Sequence, residues 1–135
     1  MKKLFTMILM SMVLFIGSIS AQTATTMPLA AGDTVVNTGT ANKVIKLTAG
    51  YAGIAVTAIA TEISGTSGGT IAVYGSPDGT NYDIIGSAYT VTDVASQSKT
   101  FYITEPVPVY VKVLQTGTGT MSSKLTVKYV LRRHE

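Results

Sequence analysis

The chain has 135 residues, no cysteine, one histidine and 13% charged side chains, ten basic against seven acidic. That length supports one core of ordinary size, held by apolar packing and backbone pairing without disulfides. Two of the basic residues, Lys2 and Lys3, lie at the N-terminus. The rest is close to neutral, with Arg132–Arg133 as its one adjacent basic pair, so nucleic-acid binding is not expected.

Residues 1–21, MKKLFTMILMSMVLFIGSISA, read as a secretory signal peptide. Lys2 and Lys3 form the charged start, Leu4 to Ile16 form the apolar run, and small residues lead to a cut after Ala21, with Ser18–Ser20 as the weaker alternative. The apolar run is shorter than the ~20 residues that span a bilayer. The protein is therefore expected to be exported, secreted or held at a cell or virion surface, with the membrane as partner only if the leader is retained. Residues 22–32 are small, polar and uncharged and read as a flexible arm. The domain itself is expected over 33–135.

From there the chain is a series of short β patterns separated by Gly, Asn, Asp and Ser. Lys43 to Thr48 (KVIKLT) and Gly53 to Ile63 (GIAVTAIATEI) are strands; in the second, both faces are rather apolar, as in the interior of a sandwich. Thr70 to Gly75 and Tyr82 to Ser87 flank Ser76-Pro77-Asp78-Gly79-Thr80, which predicts a hairpin with a tight turn or G1 bulge. Lys99 to Thr104 follows. Val107 to Gln115 and Ser122 to Arg132, joined by TGTGT, are expected to form the best hairpin of the fold. No stretch has a sustained helical period. The fold class is all-β, a single antiparallel β-sandwich of jelly-roll or immunoglobulin-like type.

Few residues carry chemistry. His134 sits one residue from the end, and there is no G-x-S-x-G, H-E-x-x-H or P-loop, so a nucleophile–base enzyme is not expected. The acids Glu62, Asp78, Asp83, Asp93 and Glu105 are sparse, and three of them lie in or beside turn-like segments, where they act as turn formers and solvated surface. Asp78, Asn81 and Asp83 supply hard oxygens, but without EF-hand spacing or a closing Glu, and a plain hairpin turn explains them. No metal and no cofactor is expected. Of the seven tyrosines, Tyr51 and Tyr82, beside turns, are the expected exposed rings. Tyr74, Tyr110 and Tyr129 are expected half-buried on strands.

The stretch Gly68 to Gly86, GGTIAVYGSPDGTNYDIIG, resembles a hairpin of small β-sandwich proteins of phage virions. It also resembles the strand and turn of discoidin-type carbohydrate- or surface-binding domains. The first resemblance implies a structural subunit of a surface or virion-associated assembly, with self-association or other surface proteins as partners. The second implies a secreted glycan- or cell-surface-binding module, with Tyr51, Asp78, Asn81 and Tyr82 at the ligand. The structural subunit is the first expectation and the binding module its alternative.

Overall fold

The computed structural model describes residues 24–27, 33–48, 50–104 and 106–133. The leader, its cut and His134 lie outside them. Ten strands follow one another: β1 (Thr25–Thr26), β2 (Thr34–Val36), β3 (Thr40–Lys46), β4 (Tyr51–Gly65), β5 (Gly69–Ser76), β6 (Asp83–Ile84), β7 (Tyr89–Val91), β8 (Ser96–Thr104), β9 (Tyr110–Gly117) and β10 (Met121–Arg133). Among the described residues, no helix is long and apolar enough to cross a membrane.

The strands form two antiparallel sheets. In the first, β10 lies beside β4, β4 beside β8, and both β1 and β2 pair along the other edge of β10. In the second, β3 lies beside β9, β9 beside β5, and β6 and β7 share the far edge of β5. With β6 and β7 counted as one interrupted strand, the pairs β2–β10, β3–β9, β4–β8 and β5–β6/β7 describe one long antiparallel ribbon. Rolling that ribbon brings β10 against β4 and β9 against β5. This winding is the jelly roll, which decides between the two expected sandwich types.

The winding corrects one expectation. β9 and β10 do not form a hairpin: β9 pairs with β3 and β5 and β10 with β4, so the 118–120 loop crosses between the sheets. Consecutive strands along one arm of a rolled ribbon fall in opposite layers and meet through side chains. Gln115 of β9 accordingly reaches Ser123 of β10 across the core, its Nε2 donating to the Ser123 Oγ at 2.6 Å.

Strand alternation places the core. Ile54, Val56, Ala58 and Ala60 of β4, Leu125 and Val127 of β10, Val111 and Val113 of β9, and Ile71 and Val73 of β5 all point inward and are buried. Each fully buried Val, Leu or Ile side chain contributes about 1.5–3 kcal/mol. β3 breaks this apolar pattern, because its inward residues are Ala41, Lys43 and Ile45. Lys43 Nζ lies 2.7 Å from Asp33 Oδ1, at the point where the chain enters β2. The partner of an inward lysine is therefore a carboxylate from the other sheet's edge.

The β5–β6 hairpin is present but looser than a tight turn. Its last pair is Gly75–Asp83, so seven residues, 76–82, form the connection. Of the expected strand Tyr82–Ser87, Asp83–Ile84 is strand, and the Ile85 N–H adds one bond to the Val73 carbonyl at 2.7 Å.

Candidate functional site

On the outer face of the second sheet, the β9 residues Tyr110, Lys112 and Leu114 alternate with the buried Val111 and Val113. Register places Lys112 between Val44 of β3 and Tyr74 of β5, and Tyr110 between Lys46 and Ser76. Three tyrosines and two lysines thus gather on one face. Lys112 Nζ stands 3.9 Å from the Tyr82 ring centroid and 5.2 Å from that of Tyr74; Lys46 Nζ stands 5.7 Å from that of Tyr110. Ammonium groups at these distances are attracted by the ring quadrupole and hold the rings in place.

The 76–82 connection folds back over this face, and its shape is set by one carboxylate. Asp78 Oδ1 accepts from the Ser76 hydroxyl and from the backbone N–H groups of Thr80 and Asn81, each at 2.8 Å. Asp78 Oδ2 accepts from Asn81 Nδ2 at 2.7 Å. The Ser76 Oγ in turn accepts from the Gly79 N–H at 2.9 Å. These bonds, the backbone ones from Asn81 and Thr80 foremost, hold the Asp78 carboxyl well below the usual carboxylate range. Gly79 has φ 78°, and a Cβ there would come within 3.1–3.2 Å of the Tyr110 ring. Glycine is needed at that position both for the left-handed backbone and for the close approach to the ring.

The candidate residues are therefore partly assembled. Asp78 and Asn81 spend most of their hydrogen-bonding capacity on the turn, and the turn presents Tyr82 beside Lys112 and Tyr74. Among the described residues no group of three His, Cys, Asp or Glu side chains lies together as a metal cage would require. Tyr51 is not part of this cluster. It packs against the core and lines a separate hollow of about 200 Å³ with Leu47, Thr48, Gly50 and the 107–109 segment. Neither Tyr51 nor Tyr82 is the exposed ring expected from their places beside turns, since both are half-buried. A turn that folds back over a sheet half-covers its own aromatic.

Among the described residues the exposed tyrosine ring is Tyr102, at 79%, on β8 in the other sheet. It borders a groove of about 220 Å³ floored by Gly53, Ala55 and Val130 and ending at Arg132. In the sequence, Phe101 and Tyr102 are adjacent, so alternation required one of them to face outward. Which one depends on the inward register of Ile103, buried opposite Ile54.

No family model matches the sequence, and no curated protein is similar to it. Among solved structures, the chain is similar to "CBM4 structure and function", a carbohydrate-binding module, at 15% identity and a TM-score of 0.45. The similarity spans 87% of this chain and 83% of that one.

Proposed function

We propose that the protein is an exported, non-catalytic glycan-binding module whose contact surface is the outer face of the β3–β9–β5 sheet beneath the Asp78 turn. One observation carries this reading: an internally bonded turn gathers Tyr74 and Tyr82 around Lys112, with Tyr110 and Lys46 beside them, as half-buried rings on one sheet face. A sugar presents an apolar C–H face and a rim of hydroxyls. Tyrosine rings accept the first, while the Lys112 ammonium and the remaining acceptor capacity of Asp78 and Asn81 serve the second. Because the turn is already braced, little conformational entropy is lost when ligand binds.

The test is a pull-down of the purified protein on a panel of insoluble and soluble polysaccharides, with Tyr82→Ala and Ile63→Ala compared. Ile63 lies at the far end of β4, away from the turn, and is exposed. Binding that is lost in Tyr82→Ala and kept in Ile63→Ala supports the reading; no binding across the panel refutes it.

The rival reading, an exported subunit of a surface or virion-associated assembly, is favoured by one feature. The outer edge of β8, nine residues from Ser96 to Thr104, has no partner strand among the described residues. Open edges pair readily with other chains. Light scattering after size exclusion separates the two: a concentration-independent oligomer would move the assembly reading ahead, and a monomer would remove it.

A further inference from the structure

The outward residues of β10 are Ser122, Lys124, Thr126, Lys128, Val130 and Arg132, since Leu125 and Val127 between them are buried. Three cations therefore recur every fourth residue on one face of one strand. At about 3.3 Å of rise per residue they are spaced about 13 Å apart, a row of roughly 26 Å. β10 lies between β4 on one side and, at Lys124 and Lys128, β2 and β1 on the other, so those two cations stand inside the sheet surface, and Arg132 is paired on the β4 side.

The neighbours of the three cations are hydroxyl-bearing or small, while Ile59 opposite Thr126 and the exposed Val36 opposite Ser122 are apolar members of the same surface. Register sets Thr61 beside Lys124, Thr57 beside Lys128 and Gly53 beside Arg132, and β8 adds Ser96, Thr100 and Thr104 opposite these positions. The Thr57 and Thr100 hydroxyls are bonded to each other at 2.9 Å.

Carboxylates are missing from this face among the described residues. Asp33 is paired with Lys43, and Glu62 sits opposite the inward-pointing Ser123. Asp93 accepts the Ser67 N–H, and Asp78 and Asp83 belong to the other sheet's hairpin. At the Arg132 end, the exposed Tyr102 ring borders a groove that Gly53, Ala55 and Val130 also line. A protein that is nearly neutral once Lys2 and Lys3 are set aside thus concentrates three cations, one free aromatic face and a row of hydroxyls on a single surface.

We infer that this face, separate from the tyrosine face under the Asp78 turn, binds an acidic polysaccharide. The chain lies along β10 with its carboxylates against Lys124, Lys128 and Arg132, and one sugar ring stacks on Tyr102 in the groove. Charge complementarity selects an anionic polymer. The hydroxyl rows and the single aromatic platform suit a sugar chain better than a nucleic acid, for which three isolated cations give little phosphate neutralisation.

The experiment measures binding of polygalacturonate to the purified protein by calorimetry. The comparators are the same polymer after carboxyl reduction and double-stranded DNA at equal charge concentration. The parent is expected to bind the polyuronate, to weaken as salt is raised, and to bind the reduced polymer at least tenfold less well. K124Q/K128Q/R132Q should weaken binding about tenfold, a factor of two or three per exposed charge. Tyr102→Ala should weaken it roughly threefold to tenfold. The charge-keeping variant K124R/K128R/R132K should bind like the parent, which separates a lost contact from a damaged fold.

The inference is overturned if the neutralised triple variant binds within twofold of the parent, if the reduced polymer binds equally, or if DNA binds as tightly as the polyuronate. Polyuronate binding abolished by Tyr82→Ala and untouched by the triple variant would also overturn it, by moving the contact to the opposite sheet.

Discussion

Lys43→Ala is expected to be among the most damaging single substitutions in this protein. The Lys43 side chain is 9% exposed and that of Asp33 6%, with Nζ and Oδ1 2.7 Å apart. Lys43 points inward from β3, between Ala41 and Ile45, while the Asp33 carbonyl accepts the Leu125 N–H at 2.8 Å from β10. The pair therefore fastens the outer strand of one sheet to the border of the other. Removing the ammonium takes away the cation 2.7 Å from a buried carboxylate, a change that costs about 3–5 kcal/mol. Domains of this size are stable by about 5–15 kcal/mol, so the loss is a large share of the total.

At roughly 4–8 °C per kcal/mol, the melting temperature should fall by some 12–40 °C. Urea titration of the parent, Lys43→Met, Asp33→Leu and the double variant K43M/D33L closes the cycle, with Lys43→Ala measured beside it. Each single change should be costly. The double change should recover most of the loss, because it removes both charges from the apolar border and fills their volume. If Lys43→Ala unfolds within about 0.5 kcal/mol of the parent, the range of ordinary surface changes, the burial argument fails.

Three further outcomes are expected. Ser123→Ala leaves both ends of the Gln115 amide without a partner in the core, where Oε1 already has none among the described residues; it should cost about 1–3 kcal/mol by urea titration, and Q115L/S123A should recover it. Gly69→Ala should be poorly tolerated, since φ is 115° and a Cβ would overlap the Thr116 carbonyl oxygen; Gly86→Ala, with positive φ but open space, should cost only about 1 kcal/mol in the same assay.

Asp78 supplies the pH prediction. Its carboxyl is depressed in the folded turn, so the stability that it contributes is fully present above the unfolded carboxylate pKa of about 4 and is lost as pH falls below it toward the folded value. The difference in melting temperature between the parent and Asp78→Asn should therefore be constant from pH 7 to 5 and shrink as the pH is taken to 3 and below. A difference that stays constant down to pH 2 would refute the assignment.

Much of the architecture was legible because β alternation is local. Runs such as Leu125-Thr-Val-Lys show which side chains share a face, and Ser-Pro-Asp-Gly marks a chain reversal whatever surrounds it. The dual apolar faces of Gly53–Ile63 likewise marked β4 as an inner strand, and it lies between β10 and β8. Pairing partners were not legible in the same way. The short TGTGT segment looks like a hairpin loop, yet it spans the sandwich. The exposed ring was misplaced for a related reason: Tyr51 and Tyr82 are beside turns, but turns here fold inward, while Tyr102 sits mid-strand on an uncovered sheet face.

The amino-acid sequence by itself determined that the chain is all-β, where most strands run, which residues alternate and where the Asp78 turn forms. All of these depend on neighbours a few residues apart, through sterics, side-chain period and local hydrogen bonds. Only the tertiary structure decided that the ribbon rolls into a jelly roll, that Lys43 meets Asp33, and that Tyr74, Tyr82, Tyr110 and Lys112 share a face. Backbone N–H and C=O groups are the same on every strand, so pairing is selected by how whole faces bury against each other. No single segment carries that information.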